Sequence, residues 1–305
     1  MTERSSMAFV PGGRFTMGSD TGYPEEAPAH LVAVDGFWID VHAVTNAEFA
    51  VFVAETGHVT VAERVPDAAD YPGARPEMLF AGSLVFRKTG KPVDTADWSQ
   101  WWELCRGADW RHPYGPQSGL AGLAAHPVVH VVLADAMAYA AWAGKDLPTE
   151  AEFEYAARGG LEGATYAWGE VFKPGGKHMA NTWQGKFPHR NSREDGWEAT
   201  APVGSYAANG HGLFDMIGNV WEWTQDWYQP RHEADPARPC CVPTNPRGPA
   251  ASTLDPAAPI QQKVLKGGSF LCAPSYCQRY RPAARHAESV DTSTCHIGFR
   301  CVRRD

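Results

Sequence analysis

Apolar positions along this chain change period several times, and each change predicts an element. In residues 45–57, TNAEFAVFVAETG, the residues Phe49, Phe52 and Val53 recur at helical spacing. Thr45 stands as the N-cap, Glu48 completes a capping box three residues later and Gly57 supplies the stop, so a helix is predicted between them. LPTEAEFEYAARGG repeats this grammar with Thr149, Glu152 and Gly159. Between the two, VVHVVLADAMAYAAWAGK reads as a short buried strand feeding a helix with Leu133, Met137 and Ala141 on one face. Elsewhere the apolar runs are brief: GGRFTMGS, LVAVDGFWID and KVLKGGSF predict short strands joined by long loops. Residues 231–259 are Pro-rich and without period, which predicts a functional or disordered loop.

Composition narrows this picture without settling the domain count, since 305 residues admit one large domain or two ordinary ones. A hydrophobic share of 44% with 20% charged residues is that of a globular protein, and 30 Gly, 24 Pro and 12 Trp point to turns and aromatic packing. The net charge of -8 and the absence of a Lys/Arg run argue against a nucleic-acid surface and leave a protein or peptide partner open. No stretch approaches the roughly 20 apolar residues that span a bilayer, and the first residues lack a signal-peptide core. A cytoplasmic protein without membrane contact is expected, one that would meet any exported client before export. Seven Cys is an odd number, and the adjacent Cys240 and Cys241 lack the spacing of a secreted disulfide framework, so reduced thiols are expected.

Candidate chemistry concentrates in residues 267–285, GGSFLCAPSYCQRYRPAAR. Cys272 and Cys277 lie five apart, about 140° around a helix and on opposite faces of a strand, so their sulfurs meet only if the backbone bends. Pro274 forbids a continuing helix, Ala273 before it is pushed toward extended angles and Ser275 favours a turn. A strand, a tight turn and a return would bring the thiols together. The plain reading of such a pair is structural, because a free Cys usually packs as a small hydrophobe. Zinc would want four ligands, and His286, Cys295 and His296 do not follow at a usual zinc spacing. Two convergent thiolates alone suit Cu(I), with room for a third thiolate from a substrate.

PGGRFTMGS, VDGFWIDVHAVTNAEF, ADWRHPYGP, WAGKDLPTEAEFEYAARGG, NTWQGKFP, NGHGLFDMIGNVWEWTQDW, KGGSF, SYCQRYRPAAR and IGFRC together resemble the formylglycine-generating enzymes, or sulfatase-modifying factors, over about residues 11–302. GGSF, GNVWEW and GFR belong to the wider superfamily and speak only for its fold; NTWQG, ADWRHPYGP and CAPSYC suit the formylglycine-generating branch. The resemblance implies an α+β fold: one C-type-lectin-like domain with low regular secondary structure over residues 11–305, after a disordered or extended segment 1–10. It implies oxidation by molecular oxygen of a cysteine in the Cys-x-Pro-x-Arg segment of an unfolded sulfatase polypeptide to Cα-formylglycine. Cys272 and Cys277 would hold Cu(I), the substrate thiolate would join it, a hydrogen would leave the substrate β-carbon, and the thioaldehyde would be hydrolysed. An older alternative, a mixed disulfide between Cys277 and the substrate, stays open at this point.

The same resemblance places Ser269 and Tyr276 on the oxygen and thiol pocket, where a hydroxyl can donate to a developing oxyanion. Ala273 and Pro274 depart from the pattern, which often has His or another polar residue after the first cysteine; this puts a general base in that loop in question. Structural calcium would be held by Asn181 and Asp195 with the carbonyls of Thr182 and Trp197, and at a second site by Asp215 and Glu222 with the carbonyls of Gly218 and Val220. From spacing alone these read as turn residues. A disulfide that relatives in oxidising compartments form to the cysteine of GFRC cannot form here, because Ala140 stands where its partner would be; Cys301 is expected as a buried free thiol. Trp221, Trp223 and Trp227 read as core rather than pocket wall. Cys105, Cys240, Cys241 and Cys295 receive no role. An iron-dependent sulfoxide synthase of the same superfamily would need a His-rich site on an added N-terminal bundle, which nothing before Pro11 could hold. A non-catalytic lectin-like binding module would leave the cysteine pair unexplained.

Overall fold

A computed structural model describes residues 7–232, 242–253 and 260–304. Both capped helices form as their end residues dictate. In α1, Asn46–Thr56, Thr45 and Glu48 close a capping box and Gly57 ends the helix at φ 70°, a backbone angle that favours glycine. α3, Glu150–Arg158, carries the same box from Thr149 and Glu152 and stops at Gly159.

The segment between them departs from expectation. Residues 128–132 are buried but form no strand, because His130 sits at φ 62° with its ring held by Ser83 Oγ at 2.7 Å and the Pro113 carbonyl at 2.9 Å. α2, Leu133–Trp142, turns Leu133, Ala136, Tyr139 and Ala140 inward; Met137 and Ala141 are exposed, so the predicted face is wrong beyond Leu133. Tyr139 decides the rotation: its ring stacks on Phe49 of α1 at 5.9 Å and meets Phe299 edge-on at 5.3 Å.

The strands are short, and glycine-rich loops separate them. They run β1 Met7–Val10, β2 Gly13–Met17, β3 His30–Val34, β4 Phe37–Asp40, β5 Gly82–Phe86, β6 Trp102–Arg106, β7 Gly185–Lys186, β8 Arg190–Asn191, β9 Trp221–Trp227, β10 Gln262–Lys266, β11 Arg285–Ser289, β12 Ile297–Gly298 and β13 Val302–Arg303. One sheet has the order β11-β10-β9-β12 and another β1-β4-β13, while β2-β3, β5-β6 and β7-β8 pair as two-stranded units. LVAVDGFWID thus divides into β3 and β4. Met7–Val10 forms a strand that pairs antiparallel with β4; residues 1–6 lie outside the described ones. The β5-β6 hairpin had no clear signal in the chain. Much of the Pro-rich stretch 231–259 falls on residues 233–241 and 254–259, outside the described ones.

Core residues from both helical and strand elements, among them Phe15, Phe37, Phe49, Phe153, Trp223 and Phe299, form one continuous cluster that also takes in Cys272. A second cluster, Trp101, Trp183, Phe187, Phe270, Leu271, Ala273 and Cys295, lies on the other side of the cysteine loop. Cys272 and Ala273 are therefore neighbours in sequence anchored in different cores. Among the described residues no helix is long and apolar enough to cross a membrane.

Candidate active site

β10 ends at Lys266, and Gly267 and Gly268 follow at φ 93° and 76°. A Cβ on Gly268 would lie 2.7 Å from the Arg279 carbonyl oxygen, so only glycine lets the two halves of this loop close on each other. Two consecutive turns come next. The Cys272 N–H donates to the Ser269 carbonyl at 2.9 Å; then the Tyr276 and Cys277 N–H groups both donate to the Ala273 carbonyl, at 3.0 and 2.9 Å. The bend expected around Pro274 is present, as a pair of turns rather than a strand returning on a strand, and the chain resumes strand geometry only at Arg285. Its result is a Sγ–Sγ separation of 3.3 Å between Cys272 and Cys277. That distance is contact without a bond, since a disulfide needs about 2.05 Å.

Motifs distant in sequence hold this loop. The Trp183 N–H of NTWQG donates to the Cys272 carbonyl at 2.9 Å, the Phe270 N–H donates to the Asn219 carbonyl at 3.0 Å, and the Gly218 N–H donates to that of Gly267 at 2.9 Å. Backbone polar groups that a sheet would pair are paired here loop to loop.

The dithiol lies in a cavity of about 550 Å³. Trp101, Trp221, Phe187 and Tyr276 supply its aromatic walls, and Ser269, His286, Glu288 and His296 bring polar groups to it. Tyr276 stacks on Phe187 at 4.4 Å and meets Trp101 edge-on at 5.6 Å, while remaining 40% exposed. Ser269 is fully buried, and its Oγ accepts from the Leu271 N–H at 3.3 Å. Of the three tryptophans read as core, Trp223 is so, with its indole N–H on the Val131 carbonyl at 3.0 Å. Trp221 is core and pocket wall together, and Trp227 is half-buried beneath the Lys263 ammonium at 3.4 Å.

The two sulfurs differ in depth and charge. Cys272 is buried, and burial pushes its thiol well up. The hydrogen bond from Cys272, together with the Arg279 guanidinium, outweighs burial at Cys277 and brings that thiol down to about 6. The two sulfurs are thus pushed in opposite directions, Cys277 toward the thiolate and Cys272 toward the thiol. Burial lowers His286 to about 4 and His296 to about 3, so both are neutral there, and raises the Glu288 carboxyl to about 7. Sequence reasoning missed Arg279, His286, Glu288 and His296 as cavity residues; β11 places His286 and Glu288 two apart, on one face, a signal visible only once that strand is known.

The residues of the first oxygen set are tied to neighbouring backbone and side chains. Asn181 Nδ2 donates to the Ala199 carbonyl at 2.8 Å and to Asn219 Oδ1 at 3.1 Å. Asp195 accepts from the Trp197 N–H at 3.0 Å and from the Tyr206 hydroxyl at 2.8 Å, and Gln184 bridges the Thr182 carbonyl to the Asp195 N–H, both at 2.9 Å. In the second set both Glu222 oxygens engage Arg300, at 2.7 and 2.8 Å, and Asp215 Oδ2 accepts from the Gly204 N–H at 2.7 Å. Gly218 packs on the Asn181 carbonyl and Val220 is buried. In this second set Arg300 thus supplies the positive charge that faces Glu222. Cys105, Cys272, Cys277, Cys295 and Cys301 are all free, and Cys301 is fully buried as expected; Cys240 and Cys241 lie outside the described residues.

Fold and site together define a class: a mixed, loop-rich domain of C-type-lectin-like architecture that carries a close pair of free thiols in an aromatic cavity. A solved structure of PvdO from Pseudomonas aeruginosa shares this fold at TM-score 0.61 and 24% identity, over 100% of this chain and 97% of that one. The family model described as Sulfatase-modifying factor enzyme 1-like domain matches residues 1–305, and the chain belongs to that enzyme family. A Mycobacterium tuberculosis protein named formylglycine-generating enzyme is 57% identical over 294 residues, 96% of each chain. One of the same name from Streptomyces coelicolor is 49% identical over 96% of this chain and 87% of its own.

Proposed function

We propose that this protein oxidises a cysteine of a sulfatase polypeptide, within a Cys-x-Pro-x-Arg segment, to Cα-formylglycine, using molecular oxygen and Cu(I) held by Cys272 and Cys277. The observation that carries the reading is the 3.3 Å pair of free sulfurs at an open, aromatic cavity in a chain of this family. Soft thiolates select a soft monovalent ion. Bound copper would supply the electron chemistry that activates oxygen. The chain's own residues do the rest. Cys277 offers the more readily ionised sulfur, the Tyr276 and Ser269 hydroxyls line the cavity where the substrate sulfur would arrive, and Trp101, Trp221 and Phe187 wall it. Positioning the substrate β-carbon is then the main task of the walls. A lectin-like binding module would need none of this thiol geometry.

Conversion of the cysteine side chain and one molecule of oxygen to the aldehyde, hydrogen sulfide and water consumes a further electron pair and two protons, so a thiol reductant belongs in the assay. With Cu(I), oxygen, reductant and a Cys-x-Pro-x-Arg peptide, mass spectrometry is expected to show the cysteine converted to the aldehyde. Peptide left unchanged by protein with copper demonstrably bound would defeat the proposal. Free described cysteines support a reducing, cytoplasmic setting in which the client is met before it folds.

For the first oxygen set we propose one structural calcium ion, held by Asn181, Asp195 and the Thr182 and Trp197 carbonyls, in a loop that touches the cysteine turn through Trp183. Adding calcium to chelator-stripped protein is expected to raise Tm, by about 2.7 kcal/mol of stabilisation at a hundredfold excess over Kd. Asp195→Ala should lose that rise. An unmoved Tm in the unaltered protein would dispose of the ion.

A further inference from the structure

Two thiolates on a monovalent ion carry a net negative charge, and a client thiolate would add to it. A buried anion is costly unless a counter-charge lies beside it. Among the described residues lining the cavity, Arg279 is the one cation that stays charged, since His286 and His296 are neutral.

Its placement is unusually constrained. Arg279 Nε and Nη2 both donate to Glu25 Oε1, at 3.2 and 2.6 Å, and the guanidinium lies over the Tyr23 ring at 4.0 Å. Tyr23 itself is tied to the neighbouring residue, its hydroxyl accepting from the Gln278 N–H at 3.0 Å, while Glu26 pairs with Arg281 through both oxygens. The Arg279 carbonyl is packed against Gly268. With the Nε–Nη2 edge taken by Glu25 and one face by Tyr23, the remaining corner, Nη1, points to Cys277 Sγ at 3.9 Å. Glu25 takes only the Nε and Nη2 donors, so the Nη1 corner stays free to face the Cys277 sulfur.

We infer that Arg279 is the counter-charge that sets the affinity of the dithiol for Cu(I), and that Glu25 and Tyr23 are positioning residues that hold its guanidinium at Cys277. The inference rests on the copper reading above. It predicts a metal-binding effect separate from turnover, because a fixed charge next to a ligand stabilises the loaded anionic centre relative to the empty one.

The experiment is an anaerobic competition of the full-length protein against a chromophoric Cu(I) chelator, repeated with Ag(I) as a redox-inert probe. Arg279→Gln is expected to weaken both ions by roughly 10–100-fold, the range for outer-shell partners of a metal site. Arg279→Lys should recover a large part of this loss, since it keeps the charge while losing the fork, and Glu25→Gln should fall between the unaltered protein and Arg279→Gln. Equal affinities in Arg279→Gln and the unaltered protein overturn the inference, as does equal weakening in the Gln and Lys variants, which would make shape rather than charge the cause. Should Arg279→Gln fail to fold, Glu25→Gln decides: unchanged affinity there overturns the positioning role. Failure of the unaltered protein to bind either ion removes the copper reading, and this inference with it, whereas binding without an Arg279 effect removes only the inference.

Discussion

Cys272→Ser is expected to abolish conversion of the peptide cysteine while leaving a folded protein. Serine is nearly the same size as cysteine, so the packing of residue 272 between the core and the turn is kept, and a buried hydroxyl there costs on the order of 1–3 kcal/mol if it finds no partner. The hydroxyl is a hard, neutral donor where a soft anion is needed, so the proposed Cu(I) site would be reduced from two sulfur ligands to one. The loss of copper affinity should exceed the roughly 10–100-fold that changes to outer-shell partners produce. Turnover measured by mass spectrometry, copper by chelator competition and folding by thermal melting separate these effects. A Cys272→Ser protein that still makes aldehyde at the parent rate would contradict the dithiol mechanism. Loss of turnover with peptide binding retained would fit it, whereas a lectin-like module predicts no change at all. The mixed-disulfide alternative predicts that added copper is irrelevant to the unaltered protein.

Arg300→Met should be the most destabilising single change outside the site. Arg300 is fully buried and meets both oxygens of Glu222 and the carbonyl oxygens of Phe214 and Asp40, the latter two at 3.0 and 3.3 Å. Removing it strands a carboxyl that burial already pushes upward in pKa, so the fold must accept a buried charge or a proton. Breaking such a pair from one side costs about 3–5 kcal/mol. For a chain of this length that corresponds to a fall in Tm of roughly 5–8 °C. The double change Glu222→Leu with Arg300→Met should recover much of the loss, because no charge is left behind. Melting curves of the single and double variants check this, and a single variant as stable as its parent would show the pair to be idle.

Much of the architecture was legible where local chemistry acts alone. Thr45 and Thr149, each followed by a glutamate three residues on and later by a glycine, set the limits of α1 and α3 without help from the rest of the chain. The bend at Pro274 was equally local, because proline and the cysteine spacing exclude both regular structures. The face of α2 was not local: Tyr139 rather than Met137 points inward because an aromatic shelf on α1 receives it. His130 shows the same limit, its left-handed backbone being maintained by Ser83 and Pro113, which no reading of VVHVV contains. At the site, the thiols were visible as a motif, but the Glu25–Arg279 pair joins residues 254 apart and carries no pattern in either segment. Glu222, similarly, offered oxygen donors by type, while only the folded chain shows them committed to Arg300.

If the dithiol holds copper as proposed, the unequal depth of the two sulfurs gives its loading a direction. Cys277 is the half-open, ionised partner and Cys272 the sealed one, so an ion carried in by a donor meets residue 277 first and reaches its second sulfur only by moving inward. On the copper reading proposed above, release would retrace that route. The dithiol would then offer a single handle for metal exchange, and a client chain seated over Cys277 would close the door through which copper leaves.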